Sequence, residues 1–203
     1  MVVEKGREWG CTGRLPDGAV LVRSDAEARA VVTEARRQDR PVPPLGLLGG
    51  DLCRTVGGRG DEERLRSGEA MLLPVDVGSV LIDGRLHWFV AHLVARRSWW
   101  RGRVLAAMNA EYLGDWDVAP RGHPGDGHLD LLDGDLSLTD RLKARRRLPL
   151  GTHVPHPGIQ PRRVTSAQVT FDRATPIWLD GERVGEATNL SLRIEPDALI
   201  CVV

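Results

Sequence analysis

With 203 residues, the chain is long enough to bury a sizeable core, as one domain or two small ones. Its 28 lysines and arginines offset 28 aspartates and glutamates, so no global field draws it to nucleic acid or to an acidic partner. Any electrostatic role has to be local. Cys11, Cys53 and Cys201 are odd in number and far apart, which excludes a disulfide framework and a CxxC metal knuckle and leaves reduced packing residues of a cytoplasmic protein. No run of about 18 apolar residues occurs, and "MVVEKGREWG" has no apolar stretch behind its charges, so no membrane span or secretion signal is expected.

In chain order, "AVLVR" (19–23) reads as a short apolar strand that runs into a helix, "SDAEARAVVTEARRQ" (24–38). Ser24 followed by Glu27 is a capping box, and Ala28, Val31, Val32 and Ala35 recur at i, i+3, i+4, i+7, which gives one buried face. "DRPVPP" stops the helix, because each proline disfavours helix at the residue before it, and "LGLLGG" reads as a second strand. Strand, helix, strand predicts a parallel pairing. At its end, "GLLGGDLCRTVGG" (46–58) is either a loop that lets backbone close on a phosphate or a tight turn after a buried strand. It lacks both the P-loop lysine and the GxGxxG spacing. Past about residue 72 the segments are short and β-rich. "SVLIDGRLHWFVAHLVA" (79–95) predicts a hairpin on Asp83-Gly84, and residues 167–203 predict several more strands with another turn at Asp180-Gly181.

Four groups of residues are candidates for chemistry. Asp180 and Glu182 stand two apart on a turn, either sharing a cleft where one acts as base toward a hydroxyl, or solvated. Asp126 and Asp130 flank a glycine loop that suits Mg²⁺, or make a plain turn. His123, His128, His153 and His156 are transition-metal candidates, although their spacing aligns no helix face, and solvated loop histidines are the simpler reading. "RRSWWRGR" (96–103) sets two tryptophans among four arginines, and "DRLKARRRLPL" (140–150) concentrates Arg141, Lys143, Arg145, Arg146 and Arg147. Both suit a lipid or anionic membrane surface. Nucleic acid is not expected as a partner of a neutral chain, and a solvated basic helix face is the alternative for the second segment.

Gly49-Gly50-Asp51-Leu52-Cys53-Arg54-Thr55, "NAEYLG" (109–114), Pro124-Gly125-Asp126-Gly127-His128-Leu129-Asp130 and "WLDGERVG" (178–185), in this order, resemble patterns of the bacterial diacylglycerol kinase (YegS-like lipid kinase) family. The resemblance covers roughly residues 19–203. It implies a truncated α/β nucleotide-binding-like domain over 1–72 and a C-terminal β-sandwich over 73–203. It further implies ATP and Mg²⁺ as cofactors. Asp25, Gly49, Gly50, Asp51, Arg54 and Thr55 are then on the nucleotide side, Asp180 and Glu182 in catalysis, and Asp126 and Asp130 around a metal. The departures are as telling. The family's first strand and helix have no counterpart. Of its GGDGT loop only Asp25 is kept, and Ser24 and Glu27 are placed to take the helix amides that a phosphate would need.

Two functions follow. If active, the chain phosphorylates diacylglycerol or a similar lipid hydroxyl from ATP, with Asp180 as the base, at the inner membrane face. Alternatively it is a catalytically inactive lipid- or partner-binding protein on a decayed lipid kinase fold. A second copy or another chain is the candidate to complete the nucleotide part.

Overall fold

A computed structural model describes residues 9–203 of the chain. The expected strand, helix, strand unit forms from β2 (Val20–Val22), α1 (Asp25–Arg37) and β3 (Leu45–Leu47), with β2 and β3 parallel. Ser24 Oγ accepts from the Glu27 amide at 3.2 Å and Glu27 Oε2 accepts from the Arg23 amide at 2.7 Å, so the start of α1 is capped by its own side chains. Ala28, Val32 and Ala35 are buried on the inner face. Short helices α2 (Asp51–Thr55) and α3 (Glu62–Arg66) follow, and β1 (Cys11–Gly13) pairs with the start of β4 (Ala70–Ile82).

The sandwich portion is mostly antiparallel. β4 turns at Asp83-Gly84 into β5 (Arg85–Phe89), both turn residues having positive φ, as the predicted hairpin requires. The hairpin does not continue to residue 95. The chain breaks at Val90-Ala91 and β6 (His92–Arg96) pairs instead with β7 (Val104–Met108) and β12 (Ser166–Leu179). β8 (Tyr112–Leu113) and β9 (Trp116–Asp117) make a small ribbon. β10 (Leu129–Gly134), α4 (Leu138–Arg147) and β11 (Ile159–Val164) lead to β12. The several strands expected over 167–203 are two long ones, β12 and the 21-residue β13 (Glu182–Val202), joined by the Asp180-Gly181 turn.

β13 unites the two portions. Its first part pairs with β12 and β4 in the sandwich, and its end, Cys201 and Val202, pairs in parallel with β3. "EPDA" (195–198) forms a bulge within β13, between its pairings at Glu195 and Leu199. The buried Asp76 of β4 holds that bulge, because its Oδ1 accepts from the Asp197 amide at 2.9 Å while Oδ2 accepts from the Gly127 amide at 2.7 Å. Two apolar cores meet there. Val80, Phe89, Leu93, Leu192 and Ile194 belong to the sandwich; Val22, Leu45, Leu47, Val75 and Leu199 belong to the α/β part.

Gly78 lies opposite the fully buried Phe89, and a Cβ at Gly78 would overlap its ring. Gly78→Ala should therefore destabilise the fold by about 1–3 kcal/mol, read as a lowered urea midpoint. Asp76 supplies a pH test. Burial first, then Asp126 nearby, push its carboxyl up to about 6 from 3.8, against the pull of the Gly127 amide. A raised acid stabilises the fold fully below its unfolded value and loses that contribution as pH rises through the folded value. The stability of the wild type relative to Asp76→Asn should thus be greatest below about pH 4 and decline until about pH 6, in urea titrations across that range.

Candidate functional site

At the junction of the two portions, a cleft of about 380 Å³ is lined by Asp25, Asp51, His92, Arg96, Trp178 and Asp180 among others. Three far-separated sequence motifs supply its three carboxylates, and β6 supplies His92 and Arg96. Asp25 opens α1, Asp51 opens α2, and Asp180 sits on the turn between β12 and β13. The loop glycines make the approach feasible: a Cβ at Gly49 would collide with the Arg23 carbonyl, and one at Gly50, where φ is 97°, would overlap the Asp25 carboxylate.

Each carboxylate is engaged by backbone. Asp25 Oδ2 accepts from the Asp51 amide at 2.6 Å and Oδ1 from the Leu52 amide at 3.1 Å, so one buried acid caps α2. Asp180 is buried and accepts three successive amides: Val90 at 3.0 Å on Oδ2, with Ala91 at 2.9 Å and His92 at 3.0 Å on Oδ1. These amides are free for it because the chain breaks between β5 and β6. Burial, the largest influence, holds the Asp180 carboxyl up at about 6, against the opposing pull of His92 and the three amides. Arg29 of α1 stands 3.8 Å from Asp180 Oδ2 and forms an ion pair with the exposed Glu182.

Asp51 Oδ2 accepts from His92 Nε2 at 3.0 Å, and both its oxygens face the Gly114 amide at 2.9 and 3.0 Å. Burial pushes Asp51 up, but His92, Gly114 and Arg54 outweigh it and hold the acid below its ordinary value. For His92, burial lowers the basicity, while the Asp51 hydrogen bond and the carboxylates of Asp180 and Asp25 raise it above the ordinary value. Arg54 and Thr55 do not face the cleft as free groups. Arg54 donates to the Gly114 carbonyl at 2.9 Å and stacks 3.8 Å over the Tyr112 ring. Thr55 Oγ1 donates to the Asp51 carbonyl at 2.8 Å and accepts from the Glu111 amide at 3.0 Å. The "GGDLCRT" and "NAEYLG" motifs are thus contact partners, with α2 serving as a post for the 111–114 loop.

Asp126 and Asp130 come together elsewhere, beside Arg163, which pairs with Asp126 and lies 3.8 Å from Asp130. There the Arg163 guanidinium offsets one of the two carboxylate charges. His153 is buried, not solvated as the sequence suggests, and the four loop histidines form no cluster among the described residues. There, the trio with ligand atoms within 4.8 Å of one another is Asp25, Asp51 and His92. His92 and Arg29 were missed from sequence, and Arg96 was expected only within "RRSWWRGR" as a group for a lipid or membrane surface, not as a residue of this cleft. The signal for His92 was a lone histidine inside the apolar run "FVAHLVA"; Arg29 carried none beyond the local charge.

The residues present do not fit the phosphates of ATP. Phosphate loops work through unoccupied backbone amides at helix starts and nests. Here the amides of residues 51, 52, 90, 91 and 92 donate to Asp25 and Asp180, and Ser24 and Glu27 cap α1.

The fold is that of the diacylglycerol kinase-like lipid kinases. A candidate diacylglycerol kinase from Bacillus anthracis str. Sterne is similar over 90% of this chain and 77% of its own, at 14% identity and a TM-score of 0.69. A second structure, described as a diacylglycerol kinase from the same organism, is similar over 90% and 75%, at 14% identity and a TM-score of 0.64. The family model of the YegS C-terminal NAD kinase beta sandwich-like domain matches residues 77–203, and the chain belongs to that family. No curated protein sequence matches it. No helix among the described residues is long and apolar enough to cross a membrane.

Asp180→Ala should leave three buried amides without an acceptor and cost about 3–5 kcal/mol of folding stability. Thermal and urea unfolding followed by circular dichroism would measure the loss.

Proposed function

We propose that this chain is a lipid-binding protein on a lipid kinase fold that does not transfer phosphate. The observation that carries this reading is that Asp25 and Asp180, which line the cleft, already accept from five backbone amides, two of them, of Asp51 and His92, belonging to cleft-lining residues. Phosphoryl transfer depends on positioning and on neutralising the phosphates. A triphosphate entering this cleft would meet Asp25, Asp51 and Asp180 where it needs donors, and the Asp180 side chain is fully buried with both oxygens already accepting from amides. A general base must reach the proton it abstracts.

The lipid side of the fold supports the other half of the proposal. Beside the polar cleft lies an apolar cavity of about 140 Å³, and Val94, Trp99 and Leu113 line both. A molecule with an apolar chain and a polar head would have both surroundings within one length of the chain.

Calorimetric titration with Mg·ATP should show no saturable heat up to millimolar nucleotide, and incubation with ATP and diacylglycerol vesicles should yield no phosphorylated lipid. Saturable binding lost in Asp51→Ala, or an ATP-dependent product, would overturn the proposal.

A further inference from the structure

His92 is the first residue of β6, and only 4% of it is exposed. It shares the cleft with two carboxylates from the other portion of the chain, Asp25 at the start of α1 and Asp51 at the start of α2. One ligand atom from each of the three lies within 4.8 Å of the other two. Nε2 of the ring is directed at Asp51 Oδ2, 3.0 Å away, while Nδ1 is buried and has no hydrogen-bond partner. Nothing around Nδ1 therefore dictates which ring nitrogen carries the proton, and an imidazole protonated there presents a bare Nε2 to the acids.

Each of the two acids is already held in place. Asp25 keeps its oxygens on the amides of Asp51 and Leu52, and Asp51 keeps both of its own on the Gly114 amide. A carboxylate has about four lone-pair positions, so these bonds leave room for a further partner on each acid. Donors behind a metal-binding carboxylate are what fixes its orientation. The charge is also unbalanced. The carboxylates of Asp180, Asp51 and Asp25 all act on the His92 ring, and Arg29, 3.8 Å from Asp180, is shared with Glu182. The cleft of about 380 Å³ that the trio lines gives an ion its way in and leaves space for water beside it.

We infer that Asp25, Asp51 and His92 form a binding site for a divalent transition metal of the zinc class, with water on the side that faces the cleft. Coordination brings His92 Nε2 and an oxygen of each acid onto one ion, with the ring proton on Nδ1, and so replaces the hydrogen bond between His92 and Asp51. Ligand atoms held about 2.0–2.2 Å from a tetrahedral zinc ion stand about 3.3 Å apart, so the trio has to close by about 1.5 Å at most. The imidazole selects zinc and its neighbours over Mg²⁺ and Ca²⁺, which take oxygen ligands. Bound there, the ion ties the starts of α1 and α2 to the start of β6 and clasps the α/β part to the sandwich. The site uses neither the apolar cavity nor a nucleotide, so it stands or falls apart from the lipid-binding proposal.

The probe is Zn²⁺ alone, titrated into the untagged full chain with calorimetry and thermal unfolding as readouts. One equivalent should bind with a dissociation constant of about 1 µM or tighter and raise the thermal midpoint by about 5 °C or more. Millimolar Mg²⁺ should not displace it. In long-range ¹H–¹⁵N spectra of the wild-type imidazoles, Zn²⁺ should move Nε2 of His92 while His123, His128 and His156 stay in place, a readout that needs no variant. Asp51→Asn and His92→Gln, each checked for folding by circular dichroism, should weaken Zn²⁺ by about tenfold or more. Cys11→Ser should leave it unchanged, since Cys11 is exposed and does not line the cleft. No saturable binding, displacement by Mg²⁺, undiminished binding in folded Asp51→Asn or His92→Gln, shifts of the loop histidines instead of His92, or loss with Cys11→Ser would each overturn the inference.

Discussion

Five backbone amides directed onto two buried carboxylates hold the junction of this molecule together. Asp180 gathers the amides of Val90, Ala91 and His92 just where the sheet ladder stops, so the break between β5 and β6 leaves none of these donors unsatisfied. Asp25 caps α2 in the same manner and so fixes Asp51, which in turn holds His92 and Gly114. Removing either acid strands several donors in a region that excludes water, which is far more damaging than the loss of a single exposed ion pair.

The same contacts set the chemistry of the cleft. A site built to receive phosphates presents donors and withholds acceptors; this one presents three acids whose oxygens already have donors. Arg29 and His92 offset part of that charge, yet both are tied to the acids they neutralise. Among the described residues, Arg96 and Arg145 have no carboxylate partner and lie on indole rings, Arg96 where the cleft meets Trp99 and Trp178 and Arg145 beside the apolar cavity. The molecule thus divides into an acidic end with filled nests and an apolar end edged with indole rings and arginine.

Much of the fold was legible in sequence because it is written in local chemistry. Ser24 and Glu27 mark the start of α1, the alanine and valine period marks its buried face, and the Asp-Gly pairs at 83 and 180 mark two turns whose residues have positive φ. The length of β13 was hidden, since Pro196 and Asp197 look like a chain break and the buried acid that turns them into a bulge, Asp76, lies 121 residues away. The site was legible only as single residues. Asp25, Asp51 and Asp180 could be picked out, but their partners are amides 26 to 90 residues distant, and backbone donors leave no mark in the amino-acid string. His92 escaped for a related reason: periodicity says that it is buried, not which carboxylate it meets.

The most direct test of the filled nests is to observe the five amides themselves. In ¹H–¹⁵N spectra of the labelled chain, the resonances of Asp51, Leu52, Val90, Ala91 and His92 should stay in place as sodium triphosphate with Mg²⁺ is added to millimolar concentration. Saturable shifts centred on those five amides would mean that phosphate displaces the carboxylates, and would contradict the account of this cleft as closed to nucleotide.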